Sequence, residues 1–472
     1  MTADVTRDTV HRTAKLLFES GKARTLAEAR AYLESMVLQV AVGPDIGRDL
    51  AAQAALLTAV NAGGRAFLGG VHVVVDDDPV LAVPWAAGLT AGAAVQRFGG
   101  VVVDRLDPAL PTLAIGAPLE PVGSYVLHVT HHGWVGGVVQ SPGSPPAGGG
   151  IAPAGIVAAA LGIAEVFQRE LGDPVPGRRD VGVSLWRPDL HWRSAEAIGP
   201  DLQYLPAAFW LLGLGHLGQA YAWAVGMLPY ATPADVRVGL VDYDRVVPGN
   251  MATQLLATDA DVDRRKTRVV ADALEDLGLD TAIVDRAFDD TFRPEPHPDP
   301  NRSEPTVALA GFDGRDPRLL LGDDRFTWVV DGGLGRGSVD YLDIVINTFP
   351  APEDPEVAFR EPPPRSQALP DAYESEVADR VAKGMDEAAV RCGLLDIAGV
   401  TVGAAFVGSV AACLVVGDLL RQLHGGSPFS VVHVNLRHPE NLVAVPNRAP
   451  AQPTLAFTLA RAAEEPSEEA RA

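Results

Sequence analysis

Residues 209–219 read FWLLGLGHLGQ, an apolar run that leads into Gly213, Gly215 and Gly218. This pattern predicts a strand, a glycine turn and the start of a helix. The glycines let the backbone approach a phosphate closely, and the helix N-terminus offers unpaired N–H groups and the positive end of its dipole. The segment therefore predicts half of a nucleotide site in an α/β fold. The glycine motif by itself is equally typical of dehydrogenases and flavoproteins.

A second apolar run, VRVGLV, ends on Asp242 and is followed closely by Asp244. An acid at the tip of the second strand of such a unit usually binds a ribose hydroxyl. The chain then carries Asn250 and Gln254, and Lys266 stands in a charged run that opens a helix. These polar residues extend the predicted nucleotide site beyond the glycine turn.

A later strand, TVALAG, ends close to Asp313. A carboxylate at this position can hold Mg²⁺, which prefers oxygen ligands and keeps several waters. A lysine beside phosphates offsets the charge that develops on a triphosphate. The combination of ribose acid, polar patch, Lys266 and strand-end carboxylate favours attack on ATP over hydride transfer.

In this order, the motifs GLGHLG, LVDYDRV, Asn-x-x-x-Gln, Lys266 and GFDGRD resemble the ThiF/MoeB and ubiquitin-activating adenylyltransferase family. The resemblance implies that Asp242 binds the ATP ribose, that Asn250 and Lys266 contact the phosphates, and that Asp313 holds magnesium. It further implies an enzyme that adenylates the C-terminal carboxylate of a ubiquitin-like protein or peptide and releases pyrophosphate.

The sequence departs from the family pattern in three places. Thr253 stands where the family has an arginine before the glutamine, and GFDG replaces CTDN, so that only the aspartate is retained. The usual zinc site of two CxxC pairs cannot form from two cysteines, since such sites take four ligands. Four nearby arginines could replace the missing one: Arg245, Arg264, Arg265 and Arg315.

The two cysteines have different expected roles. In the ThiF type, a reactive cysteine stands just before a segment similar to the one that follows Cys392, so the resemblance implies a thioester there. The alternative is a buried thiol at a helix start, because free cysteine behaves as a small hydrophobe. Either a helix N-terminus or Arg391 could lower its pKa. Cys413, in the apolar string AACLVV, is expected to be core.

The N-terminal half repeats the order of elements seen around the glycine turn. Four of its segments, at 37–60, 71–80, 125–140 and 148–172, resemble successive segments of the second half. We therefore predict two tandem Rossmann-like, ThiF-type doubly wound lobes. The first is degenerate, since it has only GPDIG at its turn and no lysine and glutamine set after Asp78. The alternative is chance similarity among βα units rich in alanine, valine and glycine.

The expected organisation has a helical segment at 1–36, a degenerate lobe at 37–190 and an ATP-binding lobe at 200–450. The ATP-binding lobe includes a crossover loop at 351–391, and a tail at 451–472 is expected to be disordered at its end.

The leading segment is expected to form two short amphipathic helices joined at Gly21, with Thr25 capping the second. In the family, an arginine that acts in trans lies in such a segment. Four arginines are candidates for that role: Arg7, Arg12, Arg24 and Arg30.

Composition limits the remaining options. The net charge of −22 argues against nucleic-acid binding. No apolar run is expected to span a bilayer, and two cysteines without a framework indicate a reducing, cytoplasmic location. A homodimer and a monomer with an internal pseudo-dimer both remain open. Two other functions also remain: a nucleotide-binding scaffold subunit, favoured by Thr253, and an NAD(P)-dependent oxidoreductase.

Overall fold

The computed structural model describes most of the chain, with short gaps. It covers residues 5–116, 125–141, 149–296, 303–360, 368–448 and 455–461. The leading segment forms two helices, α1 (Arg12–Glu19) and α2 (Leu26–Ser35). The Thr25 side chain accepts a hydrogen bond from the backbone N–H of Glu28, which caps α2.

A seven-stranded sheet follows the leading segment. Its strands are β1 (Leu38–Val42), β2 (Val71–Val75), β3 (Val101–Val102), β4 (Thr112–Ile115), β5 (Val126–His132), β6 (Val135–Val139) and β7 (Val181–Ser184). Its helices are α3 (Leu50–Gly64), α4 (Ala91–Arg97) and α5 (Ala152–Glu170). The strand order is β3-β2-β1-β4-β5-β6-β7, parallel up to β5 and antiparallel from there on.

The rest of the chain forms an eight-stranded sheet and a two-stranded one. The short strand β8 (Tyr204–Pro206) pairs with β17 (Phe457–Leu459). The large sheet contains β9 (Ala208–Leu212), β10 (Arg237–Val241), β11 (Asp280–Val284), β12 (Val307–Ala310), β13 (Trp328–Leu334), β14 (Asp343–Phe349), β15 (Phe429–Asn435) and β16 (Val443–Pro446). Its order is β11-β10-β9-β12-β13-β14-β15-β16.

Seven helices accompany this second sheet in the described chain. They are α6 (His216–Gly226), α7 (Lys266–Glu275), α8 (Arg315–Leu319), α9 (Pro355–Ala358), α10 (Glu374–Ala382), α11 (Glu387–Ala398) and α12 (Ala405–Leu423).

The two large sheets have the same topology. Strands β1 to β7 occupy the same places as β9 to β15, and the parallel strands give way to antiparallel ones at the same point. The central helices correspond as well, since α3 and α6 each follow the first strand of their sheet. The predicted fold class, two tandem doubly wound α/β lobes, is confirmed.

The two lobes share one apolar core. Trp85 of the first lobe stacks on Trp223 of the second, with ring centroids 5.4 Å apart. The indole N–H of Trp223 donates to the hydroxyl of Thr58 across the same boundary, at 3.1 Å. Phe167 on α5 contacts Phe406 on α12, with ring centroids 5.4 Å apart. The central helices of both lobes therefore pack as one layer between the sheets.

Helix α12 corrects one expectation. Among the described residues, it is the helix long and apolar enough to cross a membrane by length and composition. The expectation that no apolar run has that length is therefore wrong. Nearly all of α12 is buried against protein, where it packs on α5 and α6. An all-round apolar helix in that position is typical of a large core.

The predicted crossover loop at 351–391 contains helices. Helices α9 and α10 lie within it, and α11 begins before its end. This region is tied to the leading segment, because the Glu376 carboxylate accepts from the backbone N–H of Leu26 at 2.8 Å. The Tyr373 hydroxyl donates to Glu19 at 2.7 Å.

Candidate functional site

The glycine turn after β9 uses its three glycines in three ways. Gly213 has φ +80°, which favours glycine, and a Cβ on Gly218 would lie 2.0 Å from the carbonyl oxygen of Gly213. Gly218 therefore allows helix α6 to pack directly on the turn. A Cβ on Gly215 would meet nothing within 4 Å, so the backbone there is open to a cavity. This is the space that a phosphate needs.

The two aspartates after β10 have separate roles. Both carboxylate oxygens of Asp242 accept backbone N–H groups, from Leu214 at 2.6 Å and from Asp244 at 2.7 Å. Asp242 thus fixes the shape of the turn. The Asp244 carboxylate lies at the cavity, 2.7 Å from Nζ of Lys266. The backbone of Lys266 also donates to the carbonyl of Asp244, at 3.0 Å.

The loop after β10 presents the predicted polar patch. Asn250 and Gln254 are buried, and both line the cavity. The Asn250 side chain accepts from the backbone N–H of Val247 at 3.1 Å. Gln254 accepts from the side chain of Gln219 at 2.8 Å, and Gln219 in turn accepts the N–H groups of residues 256–257. Hydrogen bonds therefore fix the position of this loop.

The cavity at this site has a volume of about 690 Å³. Three acidic residues line it, Asp8, Asp244 and Asp313, against seven basic ones. The basic residues are Arg7, Arg12, Arg245, Arg265, Lys266, Arg318 and Arg336. In a chain of net charge −22, such a concentration of cations favours a polyanion.

The leading segment closes one side of the cavity. The backbone carbonyl of Asp8 accepts from the N–H of Gly249 at 2.7 Å. The hydroxyl of Thr13 donates to the carbonyl of Gly403 at 2.9 Å. A Cβ on Gly249 would lie 2.8 Å from the carbonyl oxygen of Val10, so this close approach requires glycine.

Two of the four candidate arginines of the leading segment reach the cavity. Arg7 and Arg12 line it, whereas Arg24 and Arg30 do not. Arg30 instead pairs with Glu34 on the same helix. Burial lowers the pKa of Arg12, and the nearby carboxylate of Asp313 opposes that shift.

The position of the missing family arginine is filled by a buried residue. Thr253 is 6% exposed and faces Gly403. Of the four candidate replacements, Arg245 and Arg265 line the cavity. Both also donate to backbone carbonyls, Arg245 to Asp263 and Arg265 to Tyr243. The other two do not line the cavity: Arg264 pairs with two aspartates, and Arg315 donates to the carbonyl of Phe359.

Sequence reasoning missed Arg318. It lines the cavity, and its Nε lies 3.3 Å from the fully buried carboxylate of Asp331. Its Nη2 donates to the carbonyl of Gly332 at 2.7 Å. Burial raises the pKa of Asp331 to about 7, although Arg318 acts in the opposite direction. The sequence feature that could have identified Arg318 as a cavity residue is its position on α8, five residues beyond Asp313.

Asp313 lies at the cavity as predicted, and its backbone carbonyl accepts from Arg336 at 2.8 Å. Within the described ranges, no group of three or more His, Cys, Asp or Glu side chains could by itself hold a metal ion. Mg²⁺ does not require such a cage, because it is commonly held by one or two carboxylates together with substrate phosphates. The residues present therefore fit that kind of magnesium site.

The cysteines lie away from this cavity. Cys392 is exposed within α11, which begins at Glu387, and it does not line the cavity. The alternative expectation of a buried thiol at a helix start is therefore wrong. Cys413 is buried on α12, as expected of a core residue, and burial raises the pKa of its thiol.

Comparison with known proteins identifies the family to which the chain belongs. Residues 37–185 match the BilD N-terminal domain, and residues 205–426 match the BilD C-terminal domain. The bacterial E1-like protein BilD of Collimonas sp. (strain OK412) is 37% identical over 435 residues, which cover 90% of each chain. The chain belongs to the BilD family. This result makes the predicted family relationship more specific, since the relative is itself described as E1-like.

Solved structures similar to this BilD-family chain include two E. coli proteins. MccB is 11% identical with a TM-score of 0.34, over 69% of this chain and 93% of MccB. The tRNA N6-threonylcarbamoyladenosine dehydratase TcdA, in complex with AMP, is 16% identical with a TM-score of 0.28. That match covers 46% of this chain and 86% of TcdA.

Proposed function

We propose that this chain is an ATP-dependent adenylyltransferase that activates the C-terminal carboxylate of a ubiquitin-like protein or peptide. One observation carries the proposal: the glycine turn, Lys266 and Asp313 meet in a cavity lined by seven basic residues. Membership of the BilD family, with its E1-like relative, supports the same class of reaction.

The reaction needs positioning and charge stabilisation more than a strong base. A carboxylate oxygen of the substrate forms a bond to the α-phosphorus of ATP. The bond from that phosphorus to the oxygen bridging the β-phosphate breaks, and pyrophosphate leaves. Mg²⁺, held by Asp313 and the phosphates, would supply additional charge neutralisation.

Four side chains of the cavity have a defined place in this scheme. Asp244 is better placed than Asp242 to meet the ribose, because Asp244 lines the cavity whereas Asp242 does not. Lys266 exchanges Asp244 for a phosphate oxygen. Arg12 and Arg318 stabilise the charge that develops on the phosphates.

A later thioester is a separate part of the proposal. The thiolate of Cys392 would attack the acyl carbon of the adenylate, the bond from that carbon to the AMP oxygen would break, and AMP would leave. Since Cys392 lies on exposed α11 outside the cavity, the acyl group or the helix must move first. Mass spectrometry of the wild type and of Cys392→Ala, after incubation with substrate, tests this step.

The alternative function is a nucleotide-binding scaffold subunit, favoured by Thr253 in place of the family arginine. An NAD(P)-dependent oxidoreductase is a weaker alternative, since a cavity lined by seven basic residues fits a triphosphate better. We also propose that the chain is a monomer, because the shared core between the lobes already forms an internal pseudo-dimer.

ATP–pyrophosphate exchange tests the main proposal. Purified protein, Mg²⁺ and peptides ending in Gly-Gly should give exchange that Asp313→Ala abolishes. Asp316→Ala removes an exposed carboxylate from the same region and should leave exchange unchanged. Undiminished exchange in Asp313→Ala would contradict the assignment of that residue. ATP binding without exchange, across carboxylate donors, would favour the scaffold.

A further inference from the structure

The loop of residues 250–257 separates two cavities. Asn250, Thr253 and Gln254 line the cavity assigned to ATP. Met251 and residues 255–257 line a second cavity, of about 1660 Å³, which lies between the two lobes. The position of this loop therefore determines where the polar patch meets the nucleotide, and its rear side faces the first lobe.

One arginine of the first lobe holds this loop from behind. Arg65, directly after α3, donates from Nη1 to the carbonyl of Met251 at 2.6 Å. Its Nη2 donates to the carbonyls of Leu255 and Ala257 at 3.1 and 3.2 Å. Its Nε donates to the Asn61 side chain at 3.1 Å, and Asn61 donates to Leu255 at 3.0 Å.

A planar guanidinium suits this task, because its donors have a fixed geometry that one point charge cannot reproduce. Three carbonyls within seven residues are fixed relative to α3. Burial lowers the pKa of Arg65 to about 10, so the side chain remains charged at neutral pH. Removing it would leave buried carbonyls without these partners, which favours rearrangement of the loop.

The first lobe also packs against the second through contacts that do not involve this loop. The indole N–H of Trp85 donates to the carbonyl of Trp223 at 2.9 Å, and the two rings stack. The packing of the two lobes and the position of the loop therefore depend on different residues, so mutations can test the two separately.

We propose that Arg65 of the degenerate lobe is a positioning residue for the ATP site of the other lobe. It holds the backbone of residues 251–257 so that Asn250, Thr253 and Gln254 face the nucleotide. This inference rests on the proposed binding of ATP at the cavity of the second lobe. It gives the degenerate lobe a role in the reaction even though its own turn lacks the phosphate-binding residues.

Direct ATP binding by calorimetry, together with the KM for ATP in pyrophosphate exchange, tests the proposal. Arg65→Met should weaken ATP binding by about ten- to hundredfold, as expected when buried hydrogen bonds to a charged group are lost. Arg65→Lys keeps the charge but not the fork of donors, and should fall between Arg65→Met and the wild type.

Arg97→Met is the matched control. Arg97 belongs to the same lobe and lines the same inter-lobe cavity, but it makes no hydrogen bond to residues 251–257 within the part of the chain described. Its guanidinium lies over the ring of Phe98. ATP affinity should be unchanged in this variant.

Thermal melting of each variant separates placement from folding. If folded Arg65→Met binds ATP as the wild type does, with only its melting temperature lowered, the proposal is wrong. Should Arg65→Met not fold, Arg65→Lys and Asn61→Ala carry the test, and wild-type ATP affinity in both would overturn it.

The proposed function can fail separately from this inference. A wild type that binds ATP without exchange, across carboxylate donors, favours the scaffold over adenylation, while the binding constants of the Arg65 variants still decide the positioning role. A wild type that does not bind ATP overturns both.

Discussion

In both lobes, the turn after the first strand is held in place by hydrogen bonds from a glutamine. Gln53 and Gln219 are each the fourth residue of the helix that follows the first strand. Each donates to a carbonyl of the turn before its helix, and each accepts two successive backbone N–H groups, from residues 82–83 and 256–257 respectively. The scaffold of a nucleotide site is therefore present twice.

The chemistry of the two sites differs. Helix α7 begins with Lys266, whose backbone N–H donates to Asp244; helix α4 begins with Ala91, whose backbone N–H donates to Pro79. Ala91 thus occupies the place of the lysine. The Asp78 carboxylate accepts from the N–H of the next residue of α4 at 2.6 Å and serves the helix itself. The two lobes have the same packing but different side chains at this place. We therefore predict that only the second lobe, called the working lobe below, has a working nucleotide site.

The largest effect is expected from removing the lysine of the working lobe. Lys266→Ala should lower the rate of pyrophosphate exchange by about 10²–10³-fold, as is typical when one preorganised cationic or donor group is lost. Lys383→Ala, which removes an exposed lysine paired with Asp379, is the control and should be silent. Comparable activity in the two variants would contradict the assignment of the site to the second lobe.

The second effect concerns the segment that precedes the degenerate lobe but reaches the working one. Arg12→Ala should reduce exchange by about ten- to hundredfold, because a charged contact to phosphate is lost. Arg30→Ala changes an arginine of the same segment that does not line the cavity and should have no effect. Steady-state kinetics of both variants measure this, and equal losses would contradict the role of Arg12.

The sequence predicted those parts of the site whose residues lie close to one another along the chain, and it missed contacts between residues far apart in the chain. The glycine turn, Asp244, Lys266 and Asp313 were predictable because each follows a strand or opens a helix of one lobe. That the two lobes share one topology was predictable from the repeated order of segments along the chain. The role of Arg65 was not predictable, because its partners in the loop of residues 250–257 lie nearly two hundred residues away in the chain.

Two other differences between sequence and structure have local causes. Arg318 was missed because it belongs to none of the sequence motifs. Only the structure shows that it lies beside Asp331 and lines the cavity. Both oxygens of Asp242 accept backbone N–H groups of the turn, a geometry that the D-x-D spacing does not reveal, and the ribose contact of Asp242 stays a prediction.

The third prediction uses the two glutamines as a matched pair. Gln53→Met and Gln219→Met should each lower the free energy of unfolding by about 2–3 kcal/mol, since each leaves one buried and one partly buried N–H group unpaired. Only Gln219→Met should also weaken ATP binding, because Gln219 holds Gln254 at the cavity. Denaturation and calorimetry on both variants measure this. Equal loss of ATP affinity would show that the lobes are not functionally distinct.

The smallest effect concerns His216, at the first position of α6. Burial lowers its pKa from 6.5 to about 4. The folded protein therefore binds fewer protons than the unfolded chain between these values. The contribution of neutral His216 to stability is complete above pH 6.5 and is lost as the pH falls towards 4.

His216→Asn should accordingly reduce the loss of stability between pH 7 and pH 5 by about 2 kcal/mol. Thermal melting of the protein without nucleotide, at both pH values, measures this. The exposed His191→Asn is the control. An unchanged pH dependence in His216→Asn would show that His216 is not responsible.

The stoichiometry of ATP binding tests the comparison most directly. Calorimetry with Mg²⁺ and a non-hydrolysable ATP analogue should give one molecule bound per chain, and much weaker binding of that molecule in Lys266→Ala. Two molecules per chain, or one that persists with unchanged affinity in Lys266→Ala, would contradict the account of one degenerate and one working lobe.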